Sequence, residues 1–371
     1  MNKKKNICKW WTILWQKTLT TDLLTEKKHI KNLTPEEISL FVEKAGEQPF
    51  RAKQLIEWVW KKRCVSFSEM TNIPASLREK LNKEFICNSI RSFDEYVSCD
   101  GTRKYAFQLT DDHIIESVLI PSGTRVTACV STQAGCALGC GFCATGQLGF
   151  KRNLETAEIH DQIIMLINFT KEKFQTVLDN IVAMGMGEPL LNYDNIISAF
   201  DKISAKEFIN FSPQRITIST AGIIDGIKKL ADGNVPYHLA VSLHSAIENK
   251  RKSMMPVANK YPLNQLAEAL KYYHRKTNNR ITIEYILFDK INDTIEDAEA
   301  LARFCRNFPV KINIIPYNSI SGSIYQKSKP AATANFIDFL KNKNIIVNLR
   351  ASKGSDIMAA CGQLALNQNK K

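Results

Sequence analysis

The chain has 371 residues, 44% hydrophobic and 23% charged, which excludes wholesale disorder and allows one large core with a smaller unit beside it. No apolar run approaches the roughly 20 residues of a membrane-spanning helix, so no membrane partner is expected. Lys+Arg outnumber Asp+Glu by 50 to 37, a net charge of +13, and residues 1–93 alone hold 18 against 10, a net of +8. Such clustering makes nucleic acid the first partner to consider, since Lys and Arg displace counterions from phosphates.

Residues 1–33 open with MNKKKNICKWWTILW. Lys9 interrupts the apolar patch and no small-residue cleavage site follows, so the segment reads as a basic cytoplasmic tail and not a signal peptide. Residues 34–90 read as a helical accessory unit. Thr34-Pro35-Glu36-Glu37 has the cap, proline and early acids of a helix start. RAKQLIEWVWKKR places Leu55, Ile56, Val59 and Trp60 on one face, with Lys53, Lys61, Lys62 and Arg63 around it. Such a basic helix is either a solvated face or a grip on phosphate.

Residues 91–124 alternate as strands, with turns at Asp100-Gly101 and Asp111-Asp112, and form a short β extension. Residues 125–350 repeat strand and helix. Strand runs at RVTACVS, NIVAMGM, RITIST, YHLAVSL, ITIEYILF and KINIIP alternate with helical patterns, and a last strand, IIVNLR, follows. The fold class is therefore α/β: six βα units in series predict a parallel sheet curled into a partial (β/α)6 barrel. Chemistry in such barrels sits at the carboxyl ends of strands, and the unusual residues fall there. Residues 351–371 form a separate C-terminal segment.

Ten cysteines are present, and Cys136, Cys140 and Cys143 lie within eight residues as C-x3-C-x2-C. Thiolates suit zinc or an iron–sulfur cluster. A closed zinc site needs a fourth ligand, which no neighbouring Cys or His supplies at zinc-finger spacing. Three thiolates on four irons leave one iron open to a small molecule. The second strand ends in Gly-Met-Gly-Glu-Pro, where glycine permits close approach and Glu188 offers an acceptor for an ammonium.

This framework resembles the radical S-adenosylmethionine (SAM) superfamily. That resemblance implies a [4Fe-4S] cluster on Cys136, Cys140 and Cys143, with Gly187 and Glu188 at the methionine end of SAM. The C-terminal run Ala359-Ala360-Cys361-Gly362-Gln363-Leu364, together with GMGEP and SLHS, resembles the RlmN/Cfr family of RNA methyltransferases, over residues 34–366. Within it the likeness is closest to the branch that methylates adenine carbon 2.

The chemistry accounts for these parts. Carbon 2 of adenine lies between two ring nitrogens and is too electron-poor to attack the SAM methyl group. The resemblance implies that Cys361 takes a methyl from a first SAM. A second SAM gives a 5′-deoxyadenosyl radical, which abstracts hydrogen from that methyl, and the carbon radical adds to the base. Glu116 matches the family's proton acceptor. Cys129 matches the cysteine that resolves the protein–RNA crosslink, leaving a Cys129–Cys361 disulfide to be reduced. Ser219, Ser242, Leu243, His244 and Asn318 match SAM-contacting positions. The implied partners are 23S rRNA, tRNA and a flavodoxin-like electron donor, acting on a monomer. The reacting base must be flipped out to reach the barrel. Three other readings stay open: a Cfr-type enzyme acting at adenine carbon 8, a radical SAM enzyme on another substrate, and a zinc-stabilised RNA-binding protein without catalysis. On residues alone, Cys129 suits a buried strand position, Cys361 a plain loop thiol, and Glu116 a surface strand carboxylate.

Overall fold

The computed structural model describes residues 27–62 and 64–365; most of the expected basic tail, and Arg63, lie outside them. Among the described residues no helix is long and apolar enough to cross a membrane.

The N-terminal unit begins with strand Lys28–His29, paired in parallel with Phe85–Ile86. Helix Pro35–Lys44 starts as expected: the Thr34 hydroxyl accepts from the Glu37 N–H at 3.2 Å, and the Glu37 carboxylate accepts from the Thr34 N–H at 2.7 Å. Such a reciprocal cap contributes about 1 kcal/mol. The helix from Phe50 is α-helical to Ile56 and continues as a π turn over Glu57–Lys61. Leu55, Val59 and Trp60 are fully buried, and helix Ala75–Glu84 adds Leu77 and Leu81 to the same core. Lys53, Lys61 and Lys62 stay exposed.

Among the described residues, ten strands form one open sheet whose spatial order follows the sequence. They are β1 (Ile90–Val97), β2 (Arg103–Leu109), β3 (Ile114–Ser122), β4 (Arg125–Cys129), β5 (Asn180–Ala183), β6 (Ile216–Thr220), β7 (His238–Ser242), β8 (Ile281–Leu287), β9 (Val310–Pro316) and β10 (Ile346–Leu349). β1 to β4 pair antiparallel, and β4 to β10 pair parallel. The extension is thus hydrogen-bonded to the first barrel strand, with Val118 opposite Cys129. Helices Thr156–Phe174, Tyr193–Ser204, Ile224–Asp232, Leu263–Thr277 and Ile295–Phe304 connect the parallel strands, as their apolar periodicity required. β8 is buried along its whole length, as expected for a strand covered on both faces.

The N-terminal unit has its own core and meets the barrel through a polar knot. Lys31 donates to Asp161, which also accepts from the Ser89 N–H at 2.8 Å and the Ser89 hydroxyl at 2.7 Å. Burial works against the Asp161 charge, yet the Lys31 ammonium holds this carboxyl well below the usual range. Beside the knot, Trp60 packs on Phe208 with ring centroids 5.1 Å apart.

Candidate active site

The loop 136–149 leaves a two-stranded ribbon, Gln133–Gly135 paired with Phe150–Asn153. The ribbon ties the two ends of the loop together. Gly135 has φ +74°, and a Cβ there would lie 1.9 Å from the Gly149 carbonyl oxygen, so only glycine closes the base. Within the loop the Cys136 N–H donates to Gly149 at 3.1 Å and the Cys143 N–H to Cys140 at 3.1 Å. Cys136, Cys140 and Cys143 are half-buried free thiols on the wall of one cavity of about 150 Å3. Burial raises Cys136 to about 11 and raises Cys140 further, with the other two thiols adding to the rise. Among the described residues, no group of three His, Cys, Asp or Glu side chains closes on a single metal ion. A ring of three soft thiols around a shared space fits a multi-iron cluster better than one zinc.

Glu188 lies on the same wall. It is 3% exposed, and its carboxylate accepts from the Ala221 N–H at 2.7 Å and the Leu190 N–H at 3.0 Å. Burial pushes its carboxyl up to about 7. Gly187 has φ +100°, and a Cβ there would lie 2.5 Å from the Gln133 Cβ. The motif therefore needs glycine both for its backbone angle and for the close packing of Gln133. Ser219, Ser242 and His244 also line this cavity. His244 adopts φ +53°, its Nδ1 accepts from the Ile286 N–H at 3.1 Å, and its ring stands edge-on to Phe142. Burial, with Arg251 nearby, lowers it to about 3, so the ring is neutral with its proton on Nε2.

Leu243 and Asn318 fall elsewhere. Leu243 is fully buried behind the wall, its carbonyl accepting from the Arg251 Nε at 3.3 Å. Asn318 lines a second, adjoining cavity, where its Nδ2 donates to the Cys361 carbonyl at 3.4 Å.

Cys361 lies where the two cavities meet, on the wall of both, as do Cys143 and Arg350. Cys129 lines the second cavity only. Burial, together with the nearby Cys361, raises the Cys129 thiol to about 12. The surrounding protein also raises Cys361, against the pull of Arg350. Glu116 lines neither cavity. It is 2% exposed, behind the C-terminal segment, with its Oε1 2.9 Å from the Lys104 ammonium and its Oε2 unpartnered. It shares a sheet face with Val118, and so with Cys129 directly opposite Val118.

Four residues around the site carry no motif. Arg251, fully buried, donates to the Ala221 carbonyl at 2.7 Å and to Leu243, bracing the ends of β6 and β7. Arg350 lies 3.6 Å from Glu284, which also accepts from Asn313 at 2.8 Å. Lys104 faces Glu116. The usable signals were a charge inside an apolar strand, for Glu284 and Lys104, and a strand's carboxyl end, for Arg350.

Comparison with known proteins agrees with this geometry. Residues 28–87 match the ribosomal RNA large subunit methyltransferase N-terminal domain, and residues 130–305 match the radical SAM superfamily. A probable dual-specificity RNA methyltransferase RlmN of Cytophaga hutchinsonii is 45% identical over 95% of this chain and 96% of its own. The counterpart so named in Christiangramia forsetii is 48% identical over 91% of this chain and 96% of its own. The crystal structure of a radical SAM methyltransferase from Sphaerobacter thermophilus superposes with a TM-score of 0.87 at 35% identity, covering 91% of this chain and 98% of that one. With these matches spanning nearly the whole chain, it belongs to the RlmN family of radical SAM RNA methyltransferases.

Proposed function

We propose that this protein methylates carbon 2 of adenine in 23S rRNA and in the tRNA anticodon loop, with Cys361 as methyl carrier and two SAM molecules consumed per turnover. The carrying observation is that Cys361 lies between a cavity walled by Cys136, Cys140, Cys143 and Glu188 and a second one walled by Cys129. A methyl carrier must meet its donor on one side and its resolving thiol on the other.

When bound, a [4Fe-4S] cluster would supply the electron that cleaves SAM to a 5′-deoxyadenosyl radical. Cys136, Cys140 and Cys143 hold that cluster, losing their protons as they ligate. Glu188 keeps its carboxylate fixed by two N–H donors and receives the methionine ammonium beside Gly187. Ser219, Ser242 and His244 offer hydroxyls and an Nε2–H along the same wall to the nucleoside end. Leu243, next to His244, and Asn318, on the wall of the adjoining cavity, complete the SAM contacts. Cys361 accepts the methyl, Glu116 takes the C2 proton, and Cys129 attacks the Cys361 sulfur to release the product. The resulting disulfide is reopened in a reducing cytoplasm, and a flavodoxin-like protein is the partner that supplies electrons to the enzyme. Residues 34–90 grip the RNA backbone through exposed Lys53, Lys61 and Lys62. Residues 125–350 form the catalytic barrel, 91–124 extend its sheet, and 351–371 carry the methyl; the protein works as a monomer.

One experiment tests the whole assignment: iron and sulfide content after anaerobic reconstitution, the mass of the Cys361 peptide, and mapping of the methylated carbon. About four irons, a Cys361 peptide heavier by one methyl, and methyl at C2 are expected. One zinc with an unmodified Cys361 would overturn it. Methyl at C8 would transfer the protein to the Cfr-type reaction.

A further inference from the structure

The second cavity borders a sheet face whose charged residues no motif announces. On β2, Lys104 lies directly opposite Tyr96 of β1 and Val118 of β3. Glu116 is two residues from Val118 and opposite Ala106, which makes Lys104 and Glu116 a diagonal pair on one face. Both are buried, at 4% and 2% exposure, and the ammonium lies 2.9 Å from Glu116 Oε1. The same ammonium donates to the Met358 carbonyl at 3.3 Å and stands 5.1 Å from the Tyr96 ring centroid. Met358 is three residues before Cys361 and has φ +53°, a backbone conformation that β-carbon residues adopt only when held. The Ala365 N–H also helps to hold the Glu116 charge.

We propose that Lys104 is a positioning residue for the reaction: one buried ammonium holds the Glu116 carboxylate and the Met358 carbonyl, and so sets the proton acceptor and the Cys361 segment against each other. The proposal rests on the reading of Glu116 as the group that takes the C2 proton. A carboxylate this deep is costly to keep charged without a partner, and a neutral carboxylic acid takes no proton. Lys104 supplies the opposite charge. Its ammonium sits on Oε1, and Oε2, which makes no full hydrogen bond, is the oxygen that receives the proton. The other titratable group facing Glu116 is Tyr96, whose phenol donates to Asp94 at 2.6 Å and is raised mainly by that bond. It stays neutral and cannot replace the ammonium.

The test compares Lys104→Met and Lys104→Arg with the unaltered holoenzyme, following methylated RNA and protein–RNA crosslink between about pH 6 and 9. Without its cation, the Glu116 carboxyl moves further up. Lys104→Met should therefore lose about tenfold or more in rate near pH 7, accumulate crosslink there, and recover as pH rises. Lys104→Arg should keep the parent profile. If Lys104→Met fails to fold, Lys104→Gln, which keeps a donor for both acceptors but no charge, carries the same expectation. A loss equal at every pH, or an unshifted profile, would overturn the proposal. Glu116→Gln separates the two layers. If it methylates RNA at the parent rate, the Glu116 reading falls and takes Lys104 with it. If it is inactive while the Lys104 variants keep the parent profile, only the Lys104 proposal falls.

Discussion

The two cysteine-bearing segments that meet at the cavity boundary are held in opposite ways. The 136–149 loop is fixed by its own flanks: the ribbon at its base, the Gly135–Gly149 contact, and Gly146 packed against Cys140, where a Cβ would meet the backbone nitrogen at 3.0 Å. The segment carrying Cys361 is fixed from afar. Ser98 donates to Asp356 at 2.6 Å, and the Gly354 N–H donates to Asp100 at 3.0 Å, both from the β1–β2 turn. The Ala144 N–H donates to Gly362 at 2.7 Å, and Asn318 holds the Cys361 carbonyl. A locally closed loop keeps its shape if its neighbours shift. A segment clamped by the β1–β2 turn, by Asn318 and by Ala144 of the thiol loop itself reports on several elements at once, and can be loosened at the turn while the loop keeps its own closure.

That contrast can be broken in order of effect. Cys140→Ala removes a proposed cluster ligand from the locally built loop, and should lose cluster iron and reduce methylation by on the order of a thousandfold or more. Normal iron content in that variant would end the cluster assignment. Asp356→Ala removes the partner of Ser98 and of the Cys99 N–H, 3.1 Å away, and should keep its iron. Its methylation should fall by about ten- to a hundredfold, the cost of displacing a reacting group by about 1 Å. Equal loss of iron in this variant would show that the two segments are not independently held.

The smallest effect is one of pH. Asp100 is held down to about 2: burial opposes the charge, but bonds from Thr102 and Gly354 outweigh it. Asp356 is lowered by Ser98. Carboxylates depressed in the folded state contribute fully above their ordinary pKa of about 3.9 and lose that contribution as pH falls through the folded value. Amide exchange protection over 354–361 should therefore drop between about pH 4 and 2, while protection of the 136–149 loop stays flat. A parallel decline in both would sink the comparison.

Much of the barrel was readable because each βα unit carries its own signal: an apolar run, a helical period, and a turn. Helices Leu263–Thr277 and Tyr193–Ser204 lie where the sequence alternates a strand run with a helical pattern. The π turn at Glu57–Lys61 was not readable, because its residues keep the apolar spacing of an ordinary helix while Trp60 is drawn onto Phe208 of the barrel. Gly187 and Glu188 could be found from sequence because backbone constraint and chemistry share five consecutive residues.

By itself the sequence determined which residues are candidates for the chemistry and which strand ends present them, since spacing, periodicity and thiol softness are properties of short stretches. Only the tertiary structure decided that Glu116 faces Lys104 and the C-terminal segment, that Asn318 holds Cys361 at the second cavity, and that Arg251 and Arg350 brace the walls. Those relations join residues from tens to hundreds of positions apart. Alternation along a strand leaves both faces open until packing buries one of them.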